Sequence, residues 1–118
     1  MNYRHGDVGL TPVTPPPTKG RKKLDHLLLA EGEVTGHFHK VVDASSTFTT
    51  RKDGKRYLVK ERPANAYIYE QDGKQYLKVK SKATVVHQEH GAIDLPVGTY
   101  RNIIQQEWSP EGMRNVLD

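Results

Sequence analysis

The chain has 118 residues, 35% of them hydrophobic and 27% charged, with 10 glycines, 7 prolines and no cysteine. One domain with a modest core fits that length, since a domain of this size buries roughly two thirds of the surface its unfolded chain exposes. The missing cysteines exclude disulfides, thiolate nucleophiles and cysteine-bound zinc, so any metal must be held by imidazole and oxygen.

The formal charge of +4 is uneven. Residues 1–24 carry Arg4, Lys19, Arg21, Lys22 and Lys23 against Asp7 alone, whereas residues 25–118 hold 13 basic and 13 acidic side chains. A neutral body with a basic leader points to a tether for an acidic surface more than to a body that binds nucleic acid. The longest apolar run is Leu27-Leu28-Leu29-Ala30, far short of the roughly 20 residues that span a bilayer. No signal-peptide core follows Met1, so the expectation is a soluble protein, cytoplasmic at synthesis, with no membrane role.

Taken in order, residues 7–13 alternate, with Val8, Leu10 and Val13 as the apolar set, and read as a short edge strand because Pro12 cannot donate to a ladder. Thr14-Pro15-Pro16-Pro17-Thr18-Lys19-Gly20 imposes an extended polyproline segment, followed by Arg21-Lys22-Lys23. Two readings of this run stand side by side. One is a solvated linker. The other is an interaction arm of Pro15, Pro16, Pro17, Lys19, Arg21, Lys22 and Lys23 that lies on a neighbouring subunit or on nucleic acid. Residues 24–30 read as a buried strand, Glu31-Gly32-Glu33 as a turn, and residues 34–42 as a strand with His37, His39 and Val41 on one face.

Two hairpins follow, over residues 48–59 and 66–79, with Asp53-Gly54 and Asp72-Gly73 as two-residue type I′ turns. Asp-Gly-Lys-Arg-Tyr-Leu from position 53 and Asp-Gly-Lys-Gln-Tyr-Leu from position 72 nearly repeat, which puts Tyr57 and Tyr76 in equivalent cross-strand positions. Residues 83–87 form a further strand with Ala83, Val85 and His87 on one face. Pro96-Val97-Gly98 supplies a turn, and residues 99–108 form a last long strand. Ser109 as N-cap and Pro110 in the first turn then predict a helix over 110–117, with Met113, Val116 and Leu117 on one side. The expected fold is all-β: a small antiparallel barrel or sandwich over residues 24–118, preceded by an extended N-terminal strand and arm over 1–23 and closed by that short helix.

Four of the six histidines fall in Gly36-His37-Phe38-His39 and His87-Gln88-Glu89-His90. The i, i+2 spacing on a strand holds two imidazoles about 6 to 7 Å apart at the Cα level, near enough to share an ion. His87 and His90 differ by an odd offset and converge only if Gln88-Glu89 turns, which Gly91 permits. Together His37, His39, His87 and His90 form a candidate site for one divalent transition metal, zinc by ligand type. Four ligands would close the shell around a structural ion, and three would leave the open position that catalysis needs, with Glu89 or Glu33 as added carboxylate or base. The alternative is hydrogen-bonded polar packing without an ion. His5 and His26 have no sequence partner and read as ordinary. No hydrolase elbow, phosphate-binding loop, dinucleotide fingerprint or basic-aromatic RNA-binding motif occurs.

His37-Phe38-His39 with Asp43, and later Gly91 and Pro96-Val97-Gly98, resemble in outline the cupin motifs. Arg101, however, stands where the last cupin histidine would fall, so only His37 and His39 carry over. A fuller resemblance is to a small family of tailed phages and bacterial genomes that has no assigned activity. It rests on Gly6-Asp7-Val8, on Ala-Glu-Gly-Glu-x-Thr-Gly-His-x-His at 30–39, and on His-x-Glu-His-x-x-Ile-x-Leu-Pro-x-Gly-Thr-Tyr-Arg at 87–101. The sequence departs from it at Gly9 and in an added hairpin around 47–62. This resemblance implies a non-enzymatic structural or interaction protein, a virion or head-associated component that meets a protein partner or its own copies through the arm and the C-terminal helix. The cupin outline implies a metal-dependent enzyme using the four histidines, and the basic arm offers a third reading, nucleic-acid binding.

Overall fold

The computed structural model describes residues 2–16, 19–31, 37–104, 106–109 and 112–115, the backbone alone for 31, 104, 106–109 and 112–115. The described elements are all strands, paired antiparallel throughout. They are β1 (Tyr3–His5), β2 (Val8–Pro12), β3 (Lys22–Lys23), β4 (Leu28–Glu31), β5 (Phe38–Asp43), β6 (Thr47–Thr50) and β7 (Arg56–Lys60), then β8 (Ala66–Gln71), β9 (Lys74–Val79), β10 (Ala83–Val86), β11 (Ile93–Leu95), β12 (Gly98–Ile104), β13 (Gln106–Ser109) and β14 (Gly112–Asn115). A six-stranded sheet runs β1-β2-β12-β9-β8-β3 and a four-stranded sheet β11-β10-β5-β4, while β6–β7 and β13–β14 stand as two-stranded ribbons. No closed barrel forms among the described strands.

Alternation explains the core. Val8 and Leu10 of β2, Ile68 of β8, Leu77 and Val79 of β9 and Tyr100 of β12 join Leu29 of β4, Val41 of β5, Ala83 and Val85 of β10 and Leu95 of β11 in one buried cluster drawn from both sheets. Both members of each directly opposed pair face the same side, so Tyr3 and His5, opposite Leu10 and Val8, are turned inward as well. Asn102, buried on the inner side of β12, donates its amide to the Leu29 carbonyl at 3.1 Å and also bonds the Gln75 side chain.

The near-repeated hairpins differ in their turns. Asp72 and Gly73 both have positive φ, 52° and 73°, and Gln71 pairs directly with Lys74, a two-residue type I′ connection as expected. At the other site only Gly54 is left-handed, at 79°. The Gly54 amide bonds the Arg51 carbonyl at 2.9 Å and the Arg51 amide bonds the Lys55 carbonyl at 3.0 Å, which makes a longer loop with a bulge. Asp53 is pulled out of the type I′ geometry because its carboxylate accepts from the Lys55 amide at 2.8 Å and from the Tyr57 hydroxyl at 2.6 Å.

The C-terminal helix expected over 110–117 is corrected at its described part: Gly112–Asn115 is strand, paired with Gln106–Ser109 in the register Trp108↔Met113, and the rest of that span lies outside the described residues. A two-turn helix gains too few hydrogen bonds to offset its nucleation, whereas pairing satisfies both strands' backbones at once. The long strand expected over 99–108 is likewise divided between β12 and β13.

The N-terminal segment is woven into the main sheet. β1 and β2 occupy one side of it and β3 the far edge beside β8, and the described residues 13–16 and 19–21 lie between these strands in the chain, on the outer face of the sheet. The Val13 amide bonds the Thr99 carbonyl at 2.9 Å, and Gln71 donates its side-chain amide to the Lys19 carbonyl at 2.9 Å. Arg21 lays its guanidinium 4.0 Å from the centre of the Tyr69 ring and donates to the Pro16 carbonyl at 3.3 Å. Tyr69 faces away from the core cluster yet is fully buried, because this strap covers it. Of the expected arm residues, Pro15, Lys19, Lys22 and Lys23 are exposed, Pro16 and Arg21 are half-buried against the protein's own sheet, and Pro17 lies outside the described residues. Arg21→Ala removes the contact that seals Tyr69 and is expected to cost about 1 kcal/mol in urea denaturation; an unchanged midpoint would show that the strap is held without it.

Candidate functional site

His39 and Val41 share the inner face of β5, and His87 continues the inward series Ala83, Val85 one residue beyond β10. Residues 88–90 bend. The amides of Glu89 and His90 both point at His87 Nδ1, at 2.9 and 3.3 Å, and this folds His90 back beside His87 with ring centres 4.7 Å apart. The turn required by the odd offset is thus present. From the other sheet, β1 brings in His5. Its ring centre lies 4.9 Å from that of His39, 5.9 Å from His90 and 6.3 Å from His87, while His39 lies 4.5 Å from His87 and 5.8 Å from His90. His5, His39 and His87 are 2%, 1% and 4% exposed, so three imidazoles sit in the interior where the two sheets meet.

The hydrogen bonds fix the tautomers. A carbonyl can only accept, so His5 Nε2, 3.0 Å from the Gly91 oxygen, carries that ring's proton and leaves the Nδ1 lone pair open. His39 Nδ1, 2.8 Å from His5 Nδ1, must then be the donor, which puts the His39 lone pair on Nε2. His87 accepts at Nδ1 and so holds its proton on Nε2. Burial holds the His5 pKa down at about 4, with the neighbouring His90 and His87 lowering it further; the Gly91 hydrogen bond opposes this but does not prevail. His5 is neutral at pH 7, the state in which imidazole ligates a metal.

Sequence and structure agree on His39, His87 and His90 as one group and differ at its edges. His37 sits at the rim, its ring centre 5.7 Å from that of His87 and its Nε2 3.9 Å from the Glu89 carboxylate. The fourth inner ring is His5, not His37. The signal for it lay in the Gly6-Asp7 turn: with Gly6 at φ 60°, His5 pairs with Val8 and shares its inward face. His26 is exposed and accepts the Leu28 amide at 3.2 Å, an ordinary surface role. Glu33 lies outside the described residues. Arg101 stands on the outer face of β12 opposite Tyr76, Asp43 is bonded to the amide and hydroxyl of Ser45, and neither joins the histidines.

Among the described residues no three histidine or carboxylate donors converge on one point at ligating distance. The arrangement is close to doing so. Two ligands of a tetrahedral zinc at 2.0 to 2.1 Å stand about 3.3 Å apart, and four rings on one ion have centres about 5 Å apart. Here the two Nδ1 atoms are 2.8 Å apart, and the ring centres of the four inner histidines are separated by 4.5 to 6.3 Å. A proton now bridges His5 and His39 where an ion would bridge them. His5 is already oriented as a metal ligand, with its far nitrogen donating to a carbonyl. Ligation by His39 and His87 requires each to change tautomer or turn its ring.

The β6–β7 ribbon clamps the histidine turn from outside. Arg51 donates to the Gln88 carbonyl at 3.3 Å, the Tyr57 hydroxyl lies 3.4 Å from the Glu89 carbonyl, and the Ala92 amide bonds the Arg56 carbonyl at 2.8 Å. Gln88 in turn accepts the Phe38 amide at 3.0 Å. Gly91 allows the close approach, because a Cβ there would stand 2.6 Å from Lys55 Cβ, an atom fixed to the ribbon's backbone. Gly91→Ala is expected to cost about 1 to 3 kcal/mol by forcing ribbon and turn apart, read as a lower urea midpoint; wild-type stability would show that the ribbon yields freely.

No curated protein and no solved structure matches this chain. Residues 4–105, a span that holds all five clustered histidines and ends before the β13–β14 ribbon, match the Domain of unknown function (DUF8820), and the chain belongs to that family.

Proposed function

We propose that this is a non-enzymatic structural or interaction protein in which His5, His39, His87 and His90 take up one divalent transition ion, zinc by ligand type, and so pin the two sheets together. The observation that carries the reading is the meeting of four imidazoles from three separate stretches of chain, three of them buried, with ring centres 4.5 to 6.3 Å apart. Four nitrogen ligands fill a tetrahedral shell and leave no position for a substrate or an activated water, which favours a structural ion over catalysis. In the absence of cysteine, imidazole selects among zinc, copper, nickel and iron.

The test begins with chelator-stripped protein exposed to zinc or cobalt and then desalted. One ion per chain by elemental analysis, with the intense visible bands of tetrahedral cobalt, is the expected result, lost in His39→Ala and His87→Ala. No stoichiometric metal at neutral pH would leave the histidines as polar packing. Within this reading, the resemblance of the histidine motifs to proteins of tailed phages supports a virion or head-associated setting, tested by looking for the chain in purified particles.

A further inference from the structure

The outer face of the six-stranded sheet, opposite the core, belongs to neither the histidine cluster nor the β6–β7 clamp; the strap buries Tyr69, Gln71 and Thr99 on it and leaves Tyr67, Lys74, Lys78 and Arg101 at least partly exposed. Register assigns its side chains. One row runs across the strands as Lys23, Tyr69, Tyr76 and Arg101, each directly opposite the next. The adjacent row runs Tyr67, Lys78 and Thr99. Along β9 the outward positions alternate as Lys74, Tyr76 and Lys78, and across the strands cations flank the Tyr69–Tyr76 pair. Lys74 extends the set on β9, and no described strand position on this face carries a carboxylate.

We infer that this face is a binding surface for single-stranded nucleic acid. A row of cations with no acid among them attracts a phosphate backbone, and sheet tyrosines offer rings on which unpaired bases stack. The half-exposed Tyr67 is the best placed of these: the ammonium groups of the exposed Lys23 and Lys80 lie over its ring, 5.0 and 5.4 Å from its centre, and a stacking base would displace them from the ring onto its own phosphates. Tyr69 is closed off beneath Arg21 and stacks on Tyr76 with ring centres 5.2 Å apart. Its part is to hold the strap, and that leaves Tyr67 for a base. A duplex hides its base faces and gains nothing from the rings, and the short apolar content of the face gives a membrane little to bury. The sequence contains no contiguous basic-aromatic motif, because the face is assembled by alternation from four strands.

Lys22 and Lys23 make the experiment decisive. They are neighbours in the same basic run, but Lys22 pairs with Glu70 on the other face while Lys23 pairs with Tyr69 on this one. Fluorescence anisotropy of a labelled 20-nucleotide oligo-dT is titrated with the full chain, a 20-base-pair duplex and phosphatidylserine vesicles serving as rivals, and the melting curve of each variant confirms folding. The expected result is binding that weakens about 50-fold between 50 and 200 mM salt, the slope for about four neutralised phosphates on a single strand. Lys78→Glu and Arg101→Glu are each expected to weaken it tenfold or more, and Tyr67→Ala about fivefold or more with the salt slope unchanged. Lys22→Glu is expected to stay within threefold of wild type. The inference is overturned by absent binding at 50 mM salt, by Lys22→Glu losing as much as Lys78→Glu, or by tighter binding to the duplex or the vesicles. Because the histidines take no part, the same titration in chelator separates this outcome from that of the metal site.

Discussion

Zinc at about one thousand times its dissociation constant is expected to stabilise the stripped protein by about 4 kcal/mol, a rise of roughly 16 °C in its melting temperature. The effect follows from linkage. The four histidines proposed as ligands come from β1, from β5 and from the turn after β10, so they meet only when both sheets are assembled, and free energy of binding there would become folding free energy. His5→Ala is the informative variant. It removes the only inner histidine contributed by the six-stranded sheet among the described residues, together with the bonds to His39 and to the Gly91 carbonyl. Without metal it is expected to cost about 1 to 3 kcal/mol for the polar atoms left unpaired in the interior. With metal, most of the zinc-induced rise disappears, while His26→Ala, on the surface, keeps all of it. Full retention of the rise in His5→Ala would show that zinc binds elsewhere, and scanning calorimetry with and without chelator reads both terms.

How far the sequence announced this site is a matter of which contacts are local. Alternation assigned His39 with Val41, and His87 with Val85, to inward faces, because period two is a property of the strand alone. The Asp72-Gly73 turn was readable for the same reason, since the residues that need positive φ are the turn itself. His5 was not readable in that way. Its membership depends on β2 pairing with β12 and on the six-stranded sheet closing over β5 and β10, partners more than thirty residues distant in the chain. The basic and aromatic outer face was hidden by the same cause, as its row takes one residue from each of four strands. The polyproline run in isolation reads first as a linker and second as an arm; only the position of Tyr69 beneath Arg21 shows that the segment following it lies on the protein's own sheet. The last segment departs from expectation for a different physical reason. Ser109 and Pro110 are good helix-start residues, yet local signals for so short a helix weigh less than the chance to pair with the strand just before it.

Acid is expected to unfold the metal-free protein in two separable stages, the first of them due to the histidine interior. His5 is buried neutral with its pKa lowered from 6.5 to about 4. Above pH 6.5 it is neutral in both the folded and the unfolded chain and its contribution to stability is complete. As the pH falls below 6.5 the unfolded chain takes up a proton that the folded ring refuses, and stability declines until the folded ring also protonates near pH 4. The loss over that window is about 3 kcal/mol, at roughly 1.4 kcal/mol per pH unit where the slope is steepest. Asp43, Asp53 and Asp94 act later. Ser45 holds the Asp43 carboxyl low, Tyr57 and the Lys55 amide hold Asp53 low, and for Asp94 the bonds from Thr84 and Arg56 outweigh a burial that alone would raise it. Their stabilising effect is lost only as the pH falls below the usual carboxylate value, through their lowered folded values. Urea denaturation in chelator from pH 7.5 to 4.5 therefore isolates the histidine stage. His5→Gln, which keeps a polar side chain but cannot titrate, is expected to start less stable and to lose much less across this range. A wild-type stability that is flat from pH 6.5 to 4.5 would mean that the interior admits the proton at His5, and would remove the premise that this ring is held neutral and ready for an ion.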